Sequence, residues 1–421
     1  MQSNLQLREG FNFKNFLTII IVLSPLFLQY SFIFPFVLFP EFFFILSLSF
    51  IFFKKTELNY SILTFSLLIF LYIFSLSAVK YFSEDYISFA LSATTSFRLL
   101  FYLLIVVFFS SFFLRDYAAK LVVYVAAFNS IYGLAQFGSY NVFNITLPWY
   151  LPFLNVQHGK KLITDQDYIF EAFGFRFSGL FSEPAHFSQY IGFAFIVLLF
   201  YKGGFKFSSK TKFFTGFVFS IALLLSASGT GFFVILFLFG VVSINFLFNN
   251  FNLAKFSIGL FFVSIALVSA TTLIMSNDLL SFGVQRILNF DDNASFYVRI
   301  IRPLVIYDGL DSIDKIFGVG YGNYSNYIFH KSLYNTYELS LGFAWSNSLG
   351  VFLVGSGLVG FILINFIYLY AFIKSDFFGK IVILYIYFHF FFSDLPHTIF
   401  FVCFFIFAIT KICNKNVKVS L

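Results

Sequence analysis

Long apolar runs separated by short polar stretches make up most of this chain. Most runs have about the length that a helix needs to cross ~30 Å of hydrocarbon, and the last two are shorter. The pattern predicts twelve membrane-spanning helices. They lie at about 16–33, 36–53, 61–79, 97–114, 118–138, 187–201, 213–228, 231–248, 256–275, 347–373, 380–393 and 396–411. An even number of spans places both termini on the same side of the membrane.

Composition supports a membrane protein. Hydrophobic residues fill 60% of the 421 positions and charged residues 11%, which excludes a soluble globule. We therefore predict an all-α integral membrane protein that forms one polytopic domain over 1–421. The net charge of +7 does not point to a nucleic-acid partner. The lysines lie mostly in the loops between predicted spans, as expected for a membrane protein. The two cysteines and five scattered histidines lack metal-ligand spacing, so we expect neither a metal nor a cofactor.

The distribution of charge predicts the orientation. Segments on the side of the termini hold 16 of the 26 basic residues and only four of the 19 acids. Basic residues concentrate on the cytoplasmic side of membrane proteins. Both termini are therefore predicted in the cytoplasm. Two loops on the opposite side, at about 139–186 and 276–346, are longer than a connection requires, and long structured loops are commonly functional.

The segment 176–190 concentrates ionisable side chains where the first long loop enters a span. Glu183 followed by Pro184 predicts a helix start, since proline suits the first turn and a carboxylate is favourable at the positive end of the helix dipole. Glu183 and His186 then share one helix face. In the simpler interpretation Glu183 only caps the helix and Arg176 only anchors the loop to headgroups.

Three arginines in the long loops form a second candidate feature: Arg176, Arg299 and Arg302. Arginine is uncommon near spans on the outer side, and a guanidinium binds phosphate oxygens through two parallel hydrogen bonds. Arg299 and Arg302 are predicted to lie one turn apart on the same helix face. A cluster of this kind suits a lipid diphosphate, although each arginine alone is also explained by structural anchoring.

Three further patterns favour packing over chemistry. Asn129, Gly133 and Gln136 share a face of the fifth predicted span, where hydrogen bonds between helices are the favoured explanation. The glycines at 318, 320 and 322 follow no predicted parallel strand, so they indicate a turn and not a nucleotide site. The acids at 308, 311 and 314 match no calcium loop and are typical of a solvated helix face.

Four pieces of the chain resemble the Wzy-type O-antigen polymerases, within the O-antigen ligase and polymerase superfamily. These pieces are 129–137, 176–190, 226–231 and 299–350. The twelve-span layout with two enlarged outer loops is similar as well. The resemblance implies glycosyl transfer on the periplasmic face of a bacterial inner membrane, by a fold like that of the lipid-using GT-C glycosyltransferases.

The resemblance also implies substrates and roles. Undecaprenyl-diphosphate-linked oligosaccharide repeat units, of O-antigen or of a capsular or secreted polysaccharide, would be joined with release of undecaprenyl diphosphate. Membrane lipids and a Wzz-type chain-length regulator are the implied partners. The implied site consists of diphosphate-binding Arg176, Arg299 and Arg302, the general base Glu183 with His186, and substrate-orienting Tyr321 and Asn347.

Three alternatives remain open at this point. An O-antigen ligase is disfavoured because Ser346 stands where the related ligases have a histidine. A lipid-linked oligosaccharide flippase is disfavoured because this chain has long outer loops and few polar residues within its spans. A membrane protein that only binds a partner would leave the outer arginines and acids without an explanation.

Overall fold

The structure is a computed structural model. It describes residues 12–31, 37–52, 58–152, 154–156, 175–204, 207–226, 228–249, 297–334, 338–339, 342–344 and 347–415. Within these ranges the regular structure is helical, with two isolated antiparallel bridges and no strand. The prediction of an all-α fold is confirmed for this part of the chain.

Fourteen α-helices are present in the described ranges. They are α1 (Phe13–Leu23), α2 (Phe39–Phe52), α3 (Tyr60–Ser83), α4 (Phe89–Phe109), α5 (Arg115–Phe143), α6 (Pro184–Phe200), α7 (Ser209–Leu225), α8 (Gly229–Asn249), α9 (Arg302–Gly309), α10 (Ser312–Phe317), α11 (Tyr324–His330), α12 (Gly357–Lys374), α13 (Phe377–Phe390) and α14 (Ile399–Lys415). Two 3₁₀ turns, Ser24–Phe27 and Leu395–His397, and two π-helices, Tyr297–Ile301 and Gly350–Val354, complete the helical structure.

Four of these helices, α3, α4, α5 and α12, are long and apolar enough to cross a membrane. Shorter apolar helices, among them α2, α6, α8, α13 and α14, pack with them. The described chain thus has the character of an all-helical membrane protein.

Three predicted spans differ clearly from the helices observed. The first was predicted over 16–33, but it is an α-helix only to Leu23 and continues as a 3₁₀ turn to Phe27, where Pro25 has no backbone N–H to donate. The fourth was predicted over 97–114, but α4 begins at Phe89 because the Ser88 side chain caps its first turn, accepting from the Leu91 N–H at 3.3 Å. The tenth was predicted as one helix over 347–373 and is interrupted between the second π-helix and α12. Gly357 there has a φ of +65°, which an α-helix cannot accommodate. The predicted span at 256–275 lies outside the described residues.

Loops gather at two ends of the helix bundle. One end, called the Arg115 end, contains residues 110–116, 201–204 and 375–376. Arg115 donates from both terminal nitrogens to Asp376, at 2.8 and 2.9 Å, and its guanidinium lies 4.8 Å from the centroid of the Phe378 ring. Tyr201 donates to Asp116 at 2.7 Å. These contacts join the start of α5, the end of α6 and the start of α13.

The opposite end, called the Arg299 end, contains the described parts of 24–41, 84–88, 144–183, 297–356 and 391–398. A small apolar core of its own lies there, built mainly from 306–328 and 344–354. The segment 318–320 attaches to the interruption before α12 through two backbone hydrogen bonds of 3.0 Å. A Cβ on Gly318 would lie 2.5 Å from backbone atoms of Gly355 and Gly357, and its φ is +87°. The glycine-rich turn predicted there is confirmed, and it serves packing.

Candidate functional site

The polar stripe on α5 holds the segment that leads into α6. Gln136 donates to the carbonyl of Gly179 at 3.0 Å and accepts from the N–H of the same residue at 2.9 Å. The Asn129 side chain accepts from the Leu180 N–H at 3.1 Å. Both side chains are buried. Both side chains bond the backbone of a loop and not another helix. The predicted hydrogen bonds between helices are therefore replaced by bonds that hold residues 177–180 against α5.

The start of α6 brings Glu183 and His186 to the Arg299 end. The helix begins at Pro184, as predicted, but the Glu183 side chain makes no capping hydrogen bond, so capping does not account for this carboxylate. His186 Nδ1 lies 3.4 Å from Ser182 Oγ. The imidazole stacks on Phe400 of α14 with ring centroids 5.4 Å apart. The start of α6 therefore faces the start of α14.

Arg299 belongs to the first π-helix and is half-buried. One of its terminal nitrogens donates to the carbonyl of Phe392 at 2.7 Å. Burial lowers the pKa of Arg299 from its usual value, and the negative charge of Glu183 acts in the opposite direction. Two residues predicted from separate long loops are thus electrostatic neighbours. Among the described residues, no carboxylate forms an ion pair with this guanidinium.

Arg302 has a different environment. Its two terminal nitrogens donate to the two carboxylate oxygens of Glu338, at 2.6 and 2.8 Å, and both side chains are buried. Burial acts to lower the pKa of Arg302, but hydrogen bonding and charge interactions with Glu338 and Tyr324 outweigh it, so the pKa is raised. Arg299 and Arg302 bond different partners, the carbonyl of Phe392 and the carboxylate of Glu338, and a shared helix face for the two arginines stays a prediction. A diphosphate at Arg302 would have to displace Glu338.

Asn347 fastens three segments together behind Arg299. Its buried amide donates to the carbonyl of Arg299 and, at 2.6 Å, to that of Phe391. Its side-chain oxygen accepts from the Gly350 N–H at 2.8 Å. These bonds join the first π-helix, the loop before α14 and the start of the second π-helix. The contacts observed for Asn347 are made to protein, and a role in orienting substrate stays a prediction.

Tyr321 ends a chain of three hydrogen-bonded side chains. Its hydroxyl bonds His397 Nε2, and His397 Nδ1 lies 2.7 Å from a carboxylate oxygen of Asp394. Burial, together with the charge of Asp394, raises the pKa of Tyr321 well above its usual value. Tyr321 is fully buried, whereas 29% of the Asp394 side chain is exposed. The chain thus runs from the protein interior to the surface of the Arg299 end.

The loop 391–398 connects these features. Arg299 bonds the carbonyl of residue 392, Asn347 bonds that of residue 391, and Ser348 bonds that of residue 393 through its N–H and its hydroxyl, at 3.1 and 3.0 Å. Asp394 and His397 follow directly. One loop therefore carries both the backbone acceptor for Arg299 and the acidic end of the hydrogen-bonded chain.

Searches with this chain against protein-family models, curated proteins and solved structures found no match.

The structure groups most of the predicted site residues and separates others. Arg299 bonds the loop 391–398 and interacts electrostatically with Glu183, and His186 stacks on Phe400 just after that loop. Arg176 is half-buried in the segment that the α5 stripe holds, just before Phe177. Ser346, which bears on the ligase alternative, lies outside the described residues. Within the described ranges, no group of three or more histidine, cysteine, aspartate or glutamate side chains is placed to hold a metal ion.

Three residues of this region did not emerge from the sequence: Glu338, Asp394 and His397. Asp394 lies between the last two predicted spans and His397 at the start of the last one, and their i, i+3 spacing was a usable signal. Glu338 gave no signal, because its pairing with Arg302 spans 36 residues and depends on how the outer segments fold.

Proposed function

We propose that this protein is a membrane glycosyltransferase that polymerises lipid-linked oligosaccharide repeat units, as the Wzy-type polymerases do. The observation that carries the proposal is the state of Arg299. Its side chain is a half-buried cation beside Glu183, and no carboxylate of the described residues pairs with it. A cation in such surroundings favours an anionic ligand.

The hydrogen-bonding capacity of Arg299 supports a diphosphate in particular. A guanidinium carries five N–H donors, and the bond to Phe392 uses one of them. The remaining donors suit the oxygens of a phosphate, which bind such a fork through two parallel bonds. In Arg302 the corresponding nitrogens are already bound by Glu338. Arg299 is therefore the principal diphosphate ligand in this proposal, with Arg176 as a second.

The charges at the two ends support the proposed orientation. Among the described positions, the loops of the Arg115 end and the helix ends beside them carry ten basic residues against two acids. The loops of the Arg299 end and the helix ends beside them carry seven against nine. The ten basic residues are Lys14, Arg115, Lys120, Lys202, Lys210, Lys212, Lys374, Lys380, Lys411 and Lys415. By the positive-inside rule the Arg115 end is cytoplasmic. We place the protein in a bacterial inner membrane with twelve spans, two enlarged periplasmic loops and cytoplasmic termini.

Cysteine labelling tests this orientation. A cysteine replacing Asp85, in the short loop between α3 and α4, should react with a membrane-impermeant maleimide in intact spheroplasts. A cysteine replacing Ser208, at the other end, should react only after permeabilisation. The opposite pattern would place Arg299 in the cytoplasm and end the proposal.

The proposed reaction is transfer of a growing glycan to a new repeat unit. The acceptor hydroxyl oxygen forms a bond to the anomeric carbon of the donor, and the bond from that carbon to the diphosphate oxygen breaks. The diphosphate leaves with the bonding electron pair, and Arg299 stabilises the charge that develops on it. A carboxylate takes the acceptor proton. Glu183 was predicted for this role, and Asp394 is a second carboxylate at the same end of the molecule.

The test is chain extension by purified protein in detergent, supplied with undecaprenyl-diphosphate-linked repeat units from the organism that encodes it. Products are resolved by mass. The wild-type protein should extend the units, Arg299→Ala should lose about 10²–10³-fold in kcat, and Arg299→Lys should recover part of the loss. Lys331→Ala is the matched control, because it removes an exposed cation of the same end. No extension by the wild type, or full activity in Arg299→Ala, would refute the proposal.

The same assay separates the two remaining alternatives. A flippase gives no longer glycan in detergent, because no second compartment exists for it to transport into. A ligase leaves the repeat units unextended unless a lipid A core acceptor is added. Whether a chain-length regulator acts on this protein is tested by adding that protein and measuring the product length distribution.

A further inference from the structure

The chain of Tyr321, His397 and Asp394 has a defined proton arrangement. The Asp394 carboxylate only accepts, so His397 Nδ1–H donates to it, at 2.7 Å. In a neutral imidazole that carries its hydrogen on Nδ1, the Nε2 atom is an acceptor. The Tyr321 hydroxyl then donates to Nε2. Asp394 thus fixes the tautomer of His397, and His397 fixes the orientation of the carboxylate.

Exposure decides which member of the chain can meet a substrate. Tyr321 is fully buried, the His397 side chain is 8% exposed and the Asp394 side chain 29% exposed. Stacking on Phe352, with centroids 5.9 Å apart, holds the imidazole in place. Only one carboxylate oxygen of Asp394 is within hydrogen-bond distance of His397. The second oxygen is the part of the chain that is available to a hydroxyl from outside.

Position links this carboxylate to Arg299. Asp394 lies two residues after Phe392, whose carbonyl accepts the Arg299 hydrogen bond. The loop backbone is bonded on both sides of Phe392, because Asn347 bonds the carbonyl of residue 391 and Ser348 that of residue 393. A donor diphosphate at Arg299 would therefore be held at a fixed distance from the Asp394 carboxylate. General acid–base catalysis requires this kind of fixed placement.

We propose that Asp394 is the general base of the glycosyl transfer and that His397 and Tyr321 are its positioning residues. This inference rests on the proposed function. As the acceptor oxygen bonds to the anomeric carbon, its proton moves to the outer oxygen of Asp394 and the diphosphate departs with the electron pair. The protonated carboxylic acid then returns its proton to solvent.

Glu183 takes a different role in this proposal. Burial lowers the pKa of Arg299, and the negative charge of Glu183 opposes that effect. Glu183 therefore supports the charged form of Arg299, which binds the diphosphate. Asp394 takes the proton.

The experiment uses the full-length protein in detergent and the repeat-unit extension assay. Asp394→Asn keeps the shape of the side chain and should lower kcat by about 10²–10⁴-fold with little change in KM, the usual range for loss of a general base. Asp394→Ala should be equally impaired, and added formate should restore part of its rate, because a small carboxylate can occupy the vacated space. Tyr321→Phe and His397→Gln should each lower kcat by about tenfold or more. A structural role alone would not give rescue by formate.

Glu183→Ala with formate is the matched control and should show no rescue. The inference is overturned if Asp394→Asn keeps wild-type kcat, if formate fails to raise the rate of Asp394→Ala while thermal unfolding shows that this variant is folded, or if formate rescues Glu183→Ala instead. These outcomes differ from failure of the proposed function, in which the wild-type protein itself extends no repeat units.

Discussion

Arg115 and Arg299 lie at opposite ends of one helix bundle, and their surroundings differ. Both terminal nitrogens of Arg115 donate hydrogen bonds to Asp376, and its guanidinium lies over the Phe378 ring. Arg299 makes one hydrogen bond, to a backbone carbonyl, and pairs with no carboxylate of the described residues. An arginine whose guanidinium donors are bonded to a protein carboxylate joins helices. An arginine whose guanidinium keeps donors without a carboxylate partner is available for a ligand.

Arg302 extends this comparison. It lies three residues from Arg299, but like Arg115 it bonds a carboxylate through both terminal nitrogens. Arg302→Ala should cost about 3–5 kcal/mol of unfolding free energy, because it leaves the buried Glu338 charge without its partner. Unfolding in detergent, followed by circular dichroism, measures the loss. The double variant Arg302→Met with Glu338→Leu should recover most of it. A single variant as stable as the wild type would show that the pair does not hold the Arg299 end together.

Gln136→Ala should have a smaller effect. It removes both hydrogen bonds to Gly179 and leaves that backbone without them at a buried position, at a cost of about 1–3 kcal/mol. The variant should also increase protease cleavage in the segment that α5 holds. Gln136→Glu keeps the acceptor but not the donor, and it should lie between the two. Unchanged cleavage would mean that the stripe on α5 does not hold this segment.

Arg299→Met should have the smallest effect on stability, within about 1 kcal/mol of the wild type. Desolvating this guanidinium costs free energy that the charge of Glu183 offsets only in part, so an apolar side chain is tolerated there. Chain extension should nevertheless be lost. A fall in stability as large as that of Arg302→Ala would show that Arg299 is an anchor and not a ligand-binding group.

The sequence predicted the helical fold well. It predicted some features of the candidate site and missed others. Apolar runs predict helices directly, because a membrane helix satisfies all its backbone hydrogen bonds internally. The helix start at Pro184 followed from local chemistry alone. The interruption before α12 did not, because it depends on Gly318 approaching the backbone of a segment more than thirty residues away.

Residue roles could be predicted only where the contacts are local. The stripe of Asn129 and Gln136 was recognised, but its partner, the backbone of 179–180, could not be read from either segment. Arg299 and Arg302 were expected to act together because an α-helix was assumed. In the structure Arg299 lies in a π-helix and the two arginines bond different partners, which no residue pattern indicates. The i, i+3 spacing of Asp394 and His397 could be seen in the sequence. The hydrogen bond from Tyr321 to His397 could not, because Tyr321 lies in a distant loop.

Binding of a prenyl diphosphate is the most direct test of a diphosphate site at Arg299. Farnesyl diphosphate is titrated into the purified wild-type protein and into Arg299→Met and Lys331→Ala, and the heat of binding is measured. The wild type and Lys331→Ala should bind alike, and the Kd of Arg299→Met should rise about 10- to 100-fold, as expected for losing charge-assisted hydrogen bonds. Equal affinity in all three proteins would contradict a diphosphate site at Arg299.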